Sequence, residues 1–292
     1  MERRNITDSP MEIYVHIPFC IKKCDYCDFL SGPSGPKEQA DYVDALLEEI
    51  NAAEEGKGRS VSSIFIGGGT PSVLDERFIG EILNYIRRKF QIADHTEITI
   101  EVNPGTADRN KLQAYRTYGI NRLSIGLQSP DDRELKILGR IHNYEQFLET
   151  YRSAREAGFD NINIDLMSAI PDQTYEGWIH NLRTVAGLDP EHISAYSLII
   201  EEGTPFSARK LDLPDEDGTI LSKGEQAYVT AILTLNGTMD DEQAAGLAKY
   251  LATNVGNDDT SNVLILDNSS NVLFSGQDDT SVTGNANNQL SL

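Results

Sequence analysis

Six short apolar, β-branched runs recur through the first two hundred residues at intervals of roughly 31 residues, and that rhythm leaves few folds open. The runs are EIYVHIPF (12–19), SSIFIGGG (62–69), EITIEVNP (97–104), NRLSIGLQS (121–129), NINIDLMSA (161–169) and HISAYSLII (192–200). Segments of helical period separate them, at about 38–55, 75–90, 108–118, 143–157 and 174–187. This is the length of a βα repeat, whose crossover helix makes successive strands parallel. Gly119 and Gly158 read as helix C-caps. A dinucleotide-binding sheet is the rival, because GGGT (67–70) follows a strand. However, GGGTPS lacks the G-x-G-x-x-G spacing, and no acidic residue ends the next strand where that motif needs one. The pattern predicts an α/β fold built as a partial (β/α)6 barrel. Barrel chemistry gathers at the carboxyl ends of strands. Cys20, Gly67–Thr70, Glu101, Asn103 and Gln128 fall there, with Asp165 inside the fifth run.

Composition excludes several function classes. The formal charge of −21 over 292 residues disfavours a nucleic-acid or anionic-membrane partner. No apolar run reaches membrane-spanning length. The opening MERRNITDSPMEIYVHIPF lacks the apolar core and cleavage site of a signal peptide, so a cytoplasmic location is expected. The charge also marks a boundary. Residues 214–292 hold 12 acids against Lys223 and Lys249, a balance of −10 in 79 residues, and asparagine becomes common there.

All three cysteines, Cys20, Cys24 and Cys27, lie within eight residues. An odd number so closely spaced is no disulfide framework. Three soft ligands on one loop suit a metal centre. Zinc, completed by His16 or Asp28, remains an alternative from residue chemistry alone. Plainer uses also exist for these residues: an ion pair with Asp131 or Asp132 for Arg140, helix capping or water binding for Glu101 and Gln128, and orientation of nearby backbone for Asp165.

The series YVHIPFCIKKCDYCDF, IFIGGGTPS, EVNPGT, RLSIGLQS, LGRIHN, NIDLM and YSLIIEEGTPF resembles the radical S-adenosylmethionine (radical SAM) superfamily, in the branch of coproporphyrinogen oxidase-like, HemW-type haem chaperones. The resemblance covers residues 12 to about 206. It implies a [4Fe–4S] cluster on Cys20, Cys24 and Cys27, with one iron left for S-adenosylmethionine. It places cofactor contacts at Tyr14, Gly68, Gly69, Thr70, Glu101, Gln128, Arg140 and Asp165, and an aromatic neighbour of the adenine at Tyr26. It also implies haem binding and delivery to acceptor proteins. Oxygen-independent coproporphyrinogen III oxidases, the alternative in porphyrin biosynthesis, resemble C-x3-C-x2-C-x-C, whereas Phe29 stands at the last position here. That absence favours the chaperone.

After about Asp217 the resemblance ends. A strand (227–235), a helix (about 239–255, capped by Thr238 and Asp241) and a hairpin pair (262–267, 271–275) form a small α+β (βαββ) pattern. DGTILSKGEQAYVTAILTLNGTMDDEQAAGLAKYLATNVG and NVLILDNSSNVLFSG resemble the ring-building module of the flagellar MS-ring protein FliF, which implies self-association through 217–276. The expected organisation is a radical SAM core (1–213), a FliF-like module (214–276) and a disordered tail (277–292). With no linker at the join, the sequence favours an accidental join of two gene fragments over a selected fusion.

Overall fold

A computed structural model describes residues 10–54, 59–209, 229–233, 245, 248, 249, 263–267 and 272–275. The chain divides into two units, Met1–Ile220 and Leu221–Leu292.

The first unit is a six-stranded sheet: β1 (Met11–Ile17), β2 (Ser60–Gly68), β3 (Gln91–Val102), β4 (Arg122–Gln128), β5 (Ile162–Ser168) and β6 (His192–Ser197). Every neighbouring pair is parallel, and the spatial order is the chain order. Such a sheet has no reversal of strand order, and hence no switch-point crevice of the dinucleotide-binding kind. Right-handed crossovers then place the helices on one face. The crossover helices are α1 (Pro36–Ala52), α2 (Glu76–Lys89), α3 (Arg109–Thr117), α4 (Asp132–Ile137), α5 (Tyr144–Glu156) and α6 (Tyr175–Ala186); the short α7 (Pro205–Ala208) follows β6. The fold is the expected partial (β/α)6 barrel.

Strand alternation sorts the sheet residues by face. Val15, Ile17, Ile64, Ile66, Ile98, Ile100, Leu123, Ile125, Leu127, Ile162, Ile164 and Leu166 form one core with the inward stripes of α1, α2, α3, α5 and α6. The other face carries Tyr14, His16, Thr99, Glu101, Arg122, Ser124, Gln128, Asn163, Asp165, Ser194 and Tyr196, and many of these bond one another. Parallel sheets usually bury apolar residues on both faces. Here one face is built for polar contact.

Helix ends follow local chemistry. Asp75, Asp108, Asn143 and Thr174 cap α2, α3, α5 and α6, and Asn143 with Gln146 completes a capping box. Gly119 and Gly158 take positive φ of 86° and 88° as chain-reversing caps. Two features differ from the sequence pattern. Strand β3 begins six residues early, at Gln91, because Gln91 and Ile92 pair with Ser60 and Val61 before a register shift. Thr96 bridges the shift by donating to the carbonyls of Val61 and Ala93 at 2.9 and 2.7 Å. The polar ADHT stretch hides this segment from a hydrophobic pattern. Helix α4 is too short to show a period.

In the second unit, β7 (Val229–Leu233) pairs parallel with β8 (Val263–Asp267), which pairs antiparallel with β9 (Val272–Ser275). The last pairing is the expected hairpin. Ala245, Ala248 and Lys249 are helical, and Ala248 is buried. The rest of the expected 239–255 helix, its Thr238 cap and the 277–292 tail lie outside the described residues. Among the described residues no helix is long and apolar enough to cross a membrane.

Candidate metal and cofactor site

The cysteine loop leaves the carboxyl end of β1 and is held by backbone at both ends. The Cys20 amide donates to the Gly32 carbonyl at 2.9 Å, and the Gly32 amide to the Pro18 carbonyl at 3.0 Å. In the middle, the Asp25 amide donates to the Leu138 carbonyl, and the Asp25 carbonyl accepts from the Phe206 amide at 3.0 Å. Arg209 pairs with the Asp25 carboxylate and donates to the Ile137 carbonyl. Phe206 is fully buried with Leu138, Met167 and Ile170, and Tyr26 packs against that group. Residues 198–209 thus strap the loop down.

The glycine stretch lies beside this loop. The Gly69 and Thr70 amides donate to the carbonyls of Ile17 and Phe19 at 2.8 and 2.7 Å. A Cβ at Gly69 would stand 2.7 Å from the Phe19 oxygen and 3.0 Å from the Cys20 sulfur. At Gly68, φ is +117° and a Cβ would collide with the His16 ring at 2.7 Å. Backbone therefore approaches the sulfur where any side chain would block it.

All three cysteines are free; Cys20 is buried and the others half-buried. Burial pushes the Cys27 thiol up. A pocket lined by Cys24, Thr70, Asn103 and Arg140, among others, opens beside them. Among the described residues no group of three His, Cys, Asp or Glu side chains is placed to hold one metal ion. That geometry does not support zinc with His16 or Asp28, and His16 instead bonds Tyr14 and the Leu30 carbonyl. In a four-iron cube each cysteine binds its own iron, so the sulfurs need not converge on one point. Three soft thiols, a glycine cradle and donors aimed at sulfur fit such a cluster.

Of the remaining expected residues, Tyr14, Glu101, Gln128 and Asp165 lie on the polar face, while Tyr26 and Arg140 come from loops. Glu101 accepts the Gly68 amide at 3.0 Å. Burial raises its carboxyl from the ordinary 4.5 to about 7, opposed by that hydrogen bond and reinforced by Asp165. Asp165 is also raised by burial, against hydrogen bonds from Asn163 and Ser124; Ser124 and Asn163 donate at 3.1 and 2.7 Å. Its partners are side chains and not backbone. Gln128 takes φ 74° where the β4–β5 register shifts. Such a non-glycine conformation costs about 1–3 kcal/mol, and it turns the amide onto the Tyr196 hydroxyl, which donates to Oε1 at 2.6 Å. Arg140 donates to Asn103, the Gly126 carbonyl and Cys24. Asp131 pairs with Arg133 instead. Burial holds the Tyr26 phenol far above its ordinary value, against the lowering effect of Arg140. Tyr14 stacks on Phe65 at 6.1 Å between centroids.

Four contributors are absent from the expected cofactor and metal residues. Tyr196 could have been found as the residue facing inward near the end of the sixth run. Asn103 stood in the third run as one polar strand-end residue among several. Phe206 closes the string YSLIIEEGTPF, but no local pattern discloses that it and Arg209 hold Asp25, a contact some 180 residues away.

The Radical SAM superfamily model matches residues 14–185. The haem chaperone HemW of Escherichia coli K12 is 40% identical over 226 residues, which is 76% of this chain and 60% of that protein. HemW of Bacillus subtilis is 37% identical over 210 residues, 70% of this chain and 55% of that one. The solved structure of coproporphyrinogen III oxidase (HemN) from Escherichia coli, a radical SAM enzyme, superposes with a TM-score of 0.65 at 35% identity, covering 72% of this chain and 50% of that chain. This chain spans about three fifths of the length of the curated relatives it matches.

Proposed function

Because this chain belongs to the radical SAM superfamily, we propose that it holds a [4Fe–4S] cluster on Cys20, Cys24 and Cys27, binds S-adenosylmethionine beside it, and serves as a haem chaperone. The observation that carries the cofactor reading is the pocket lined by Cys24 with Thr70, Asn103 and Arg140, with Gly69 backbone close against the Cys20 sulfur beside it. The chemistry such a cluster supplies is one-electron reduction of the sulfonium. The protein's own part is to bind and orient. Gly67–Gly69 let the backbone come close, Glu101 and Asp165 offer carboxylates, Gln128 and Tyr196 offer hydrogen-bonding groups, and Arg140 offers a fixed positive charge.

The chaperone reading rests on similarity to the HemW proteins and on Phe29, which stands two residues after Cys27 where the oxidases resemble a pattern with a fourth cysteine. The second reading, coproporphyrinogen III oxidation, is favoured by the HemN superposition. Both would take a tetrapyrrole. Delivery of haem to acceptor proteins, a cytoplasmic location, and self-association through the FliF-like segment belong to this proposal, as does the division into core, module and tail. The third reading is a non-functional fusion of two gene fragments.

Titration of the anaerobically reconstituted full chain with haem separates them. A saturable shift of the haem absorption band, followed by loss of haem to an apo-cytochrome, is expected. Decarboxylation of coproporphyrinogen III without haem uptake would favour the oxidase. Neither activity would leave the fusion reading.

A further inference from the structure

Asn103 sits at the carboxyl end of β3, and its side chain joins two branches of hydrogen bonds that each end on a cysteine sulfur. Its Nδ2 donates to Thr70 Oγ1 at 2.8 Å, and Thr70 Oγ1 donates to Cys20 Sγ at 3.5 Å. Its Oδ1 accepts from Arg140 Nη2 at 2.7 Å, and Arg140 Nη1 donates to Cys24 Sγ at 3.5 Å.

The direction of every bond in this chain follows from donor chemistry. A guanidinium has only donors, so it must meet the amide oxygen of Asn103. The amide nitrogen must then face Thr70, whose oxygen becomes the acceptor and whose hydroxyl proton is left for the sulfur. Both ends therefore present a proton to a sulfur. The backbone fixes the hub: the Asn103 amide donates to Ser72 Oγ at 3.3 Å, and its carbonyl accepts from Thr106 Oγ1 at 2.7 Å. Gly126 leaves it room, since a Cβ there would stand 2.8 Å from Asn103 Oδ1 and 3.3 Å from Arg140 Nη2.

We propose that Asn103 is a positioning residue that sets the reduction potential of the iron–sulfur cluster by aiming Thr70 at Cys20 and Arg140 at Cys24. This rests on the cluster reading above. An added electron increases the negative charge on the ligand sulfurs, and hydrogen bonds to sulfur stabilise that state and raise the potential. The Arg140 bond is charge-assisted and is the stronger of the two. A neutral amide suits the hub because it accepts from Arg140 and donates to Thr70 at once. A carboxylate would capture the Thr70 proton and cancel the arginine charge.

The test is a redox titration of reconstituted full-length protein without S-adenosylmethionine, followed by EPR. Asn103→Asp and Asn103→Ala should retain iron near the wild-type content. At a fixed poise, the reduced-to-oxidised ratio should fall about tenfold in Asn103→Asp, equivalent to 59 mV for one electron, and less in Asn103→Ala. Thr70→Val, which cuts only the Cys20 branch, should lower the ratio, and Thr70→Ser should restore it. This pair decides the matter if the Asn103 variants assemble no cluster. Iron content like wild type with an unchanged ratio in Asn103→Asp, or in Thr70→Val where that pair decides, overturns the proposal alone. Wild-type protein that takes up no iron overturns the cluster reading and the proposal with it.

Discussion

The two faces of the six-stranded sheet obey different rules, although they alternate along the same strands. On the helix side, Ile98, Ile100, Leu123, Ile125, Leu127, Ile162 and Ile164 are almost wholly buried, and the hydrophobic effect alone specifies their placement. On the other side, Glu101, Ser124, Gln128, Asn163 and Asp165 occupy neighbouring positions as buried or half-buried polar groups. They meet one another, backbone or the Tyr196 hydroxyl. The first face determines that the chain folds; the second limits how stable the fold is. Two carboxyls raised by burial are a cost that packing does not ask for, and perturbed groups of this kind collect at functional sites.

Ile100 and Glu101 are consecutive residues on opposite faces, so they test the contrast most sharply. Ile100→Ala removes fully buried methyl groups and should destabilise by about 2–5 kcal/mol. Denaturant unfolding would measure this, and iron content of the folded fraction should be unchanged. Glu101→Gln should act in the opposite sense. The folded-state carboxyl binds protons more tightly than the unfolded one, so its penalty is absent below pH 4.5, grows as pH rises, and is complete above about 7. The variant should therefore gain about 3 kcal/mol at pH 8 and nothing at pH 4. It should also bind S-adenosylmethionine more weakly. A destabilised Glu101→Gln at pH 8 would break the comparison.

Smaller effects follow within the polar face and beyond the sheet. Ser124→Ala removes a donor to Asp165 and should cost about 1 kcal/mol while raising the Asp165 carboxyl further, read by NMR titration. Lys37→Ala cuts an exposed i,i+4 pair with Asp41 on α1 and should cost at most about 0.5 kcal/mol, less in high salt.

The same contrast explains what the sequence discloses. Apolar runs and helical stripes reveal the packed face because burial imposes a period, and the five long helices lie close to where that period places them. Cysteine spacing, the glycine stretch and the strand-end polar residues point to the members of the candidate site. Their relations stay hidden. Asn103 reaches Arg140 only because β3 and the loop after α4 converge, and Asp25 meets Arg209 across most of the first unit. No local pattern encodes a hydrogen bond between residues so far apart in sequence. The first turn of β3 was concealed for a different reason, since Asp94 and His95 interrupt its alternation.

In the proposed function, the polar face and the cysteine loop together hold an iron–sulfur cluster that S-adenosylmethionine can reach. Anaerobic reconstitution with iron and sulfide assay, followed by EPR of the reduced protein with and without S-adenosylmethionine, tests it directly. About four irons per chain, a spectrum altered by the cofactor, and loss of both in Cys24→Ala are expected. Iron retained in Cys24→Ala, or a wild-type spectrum indifferent to the cofactor, would contradict it.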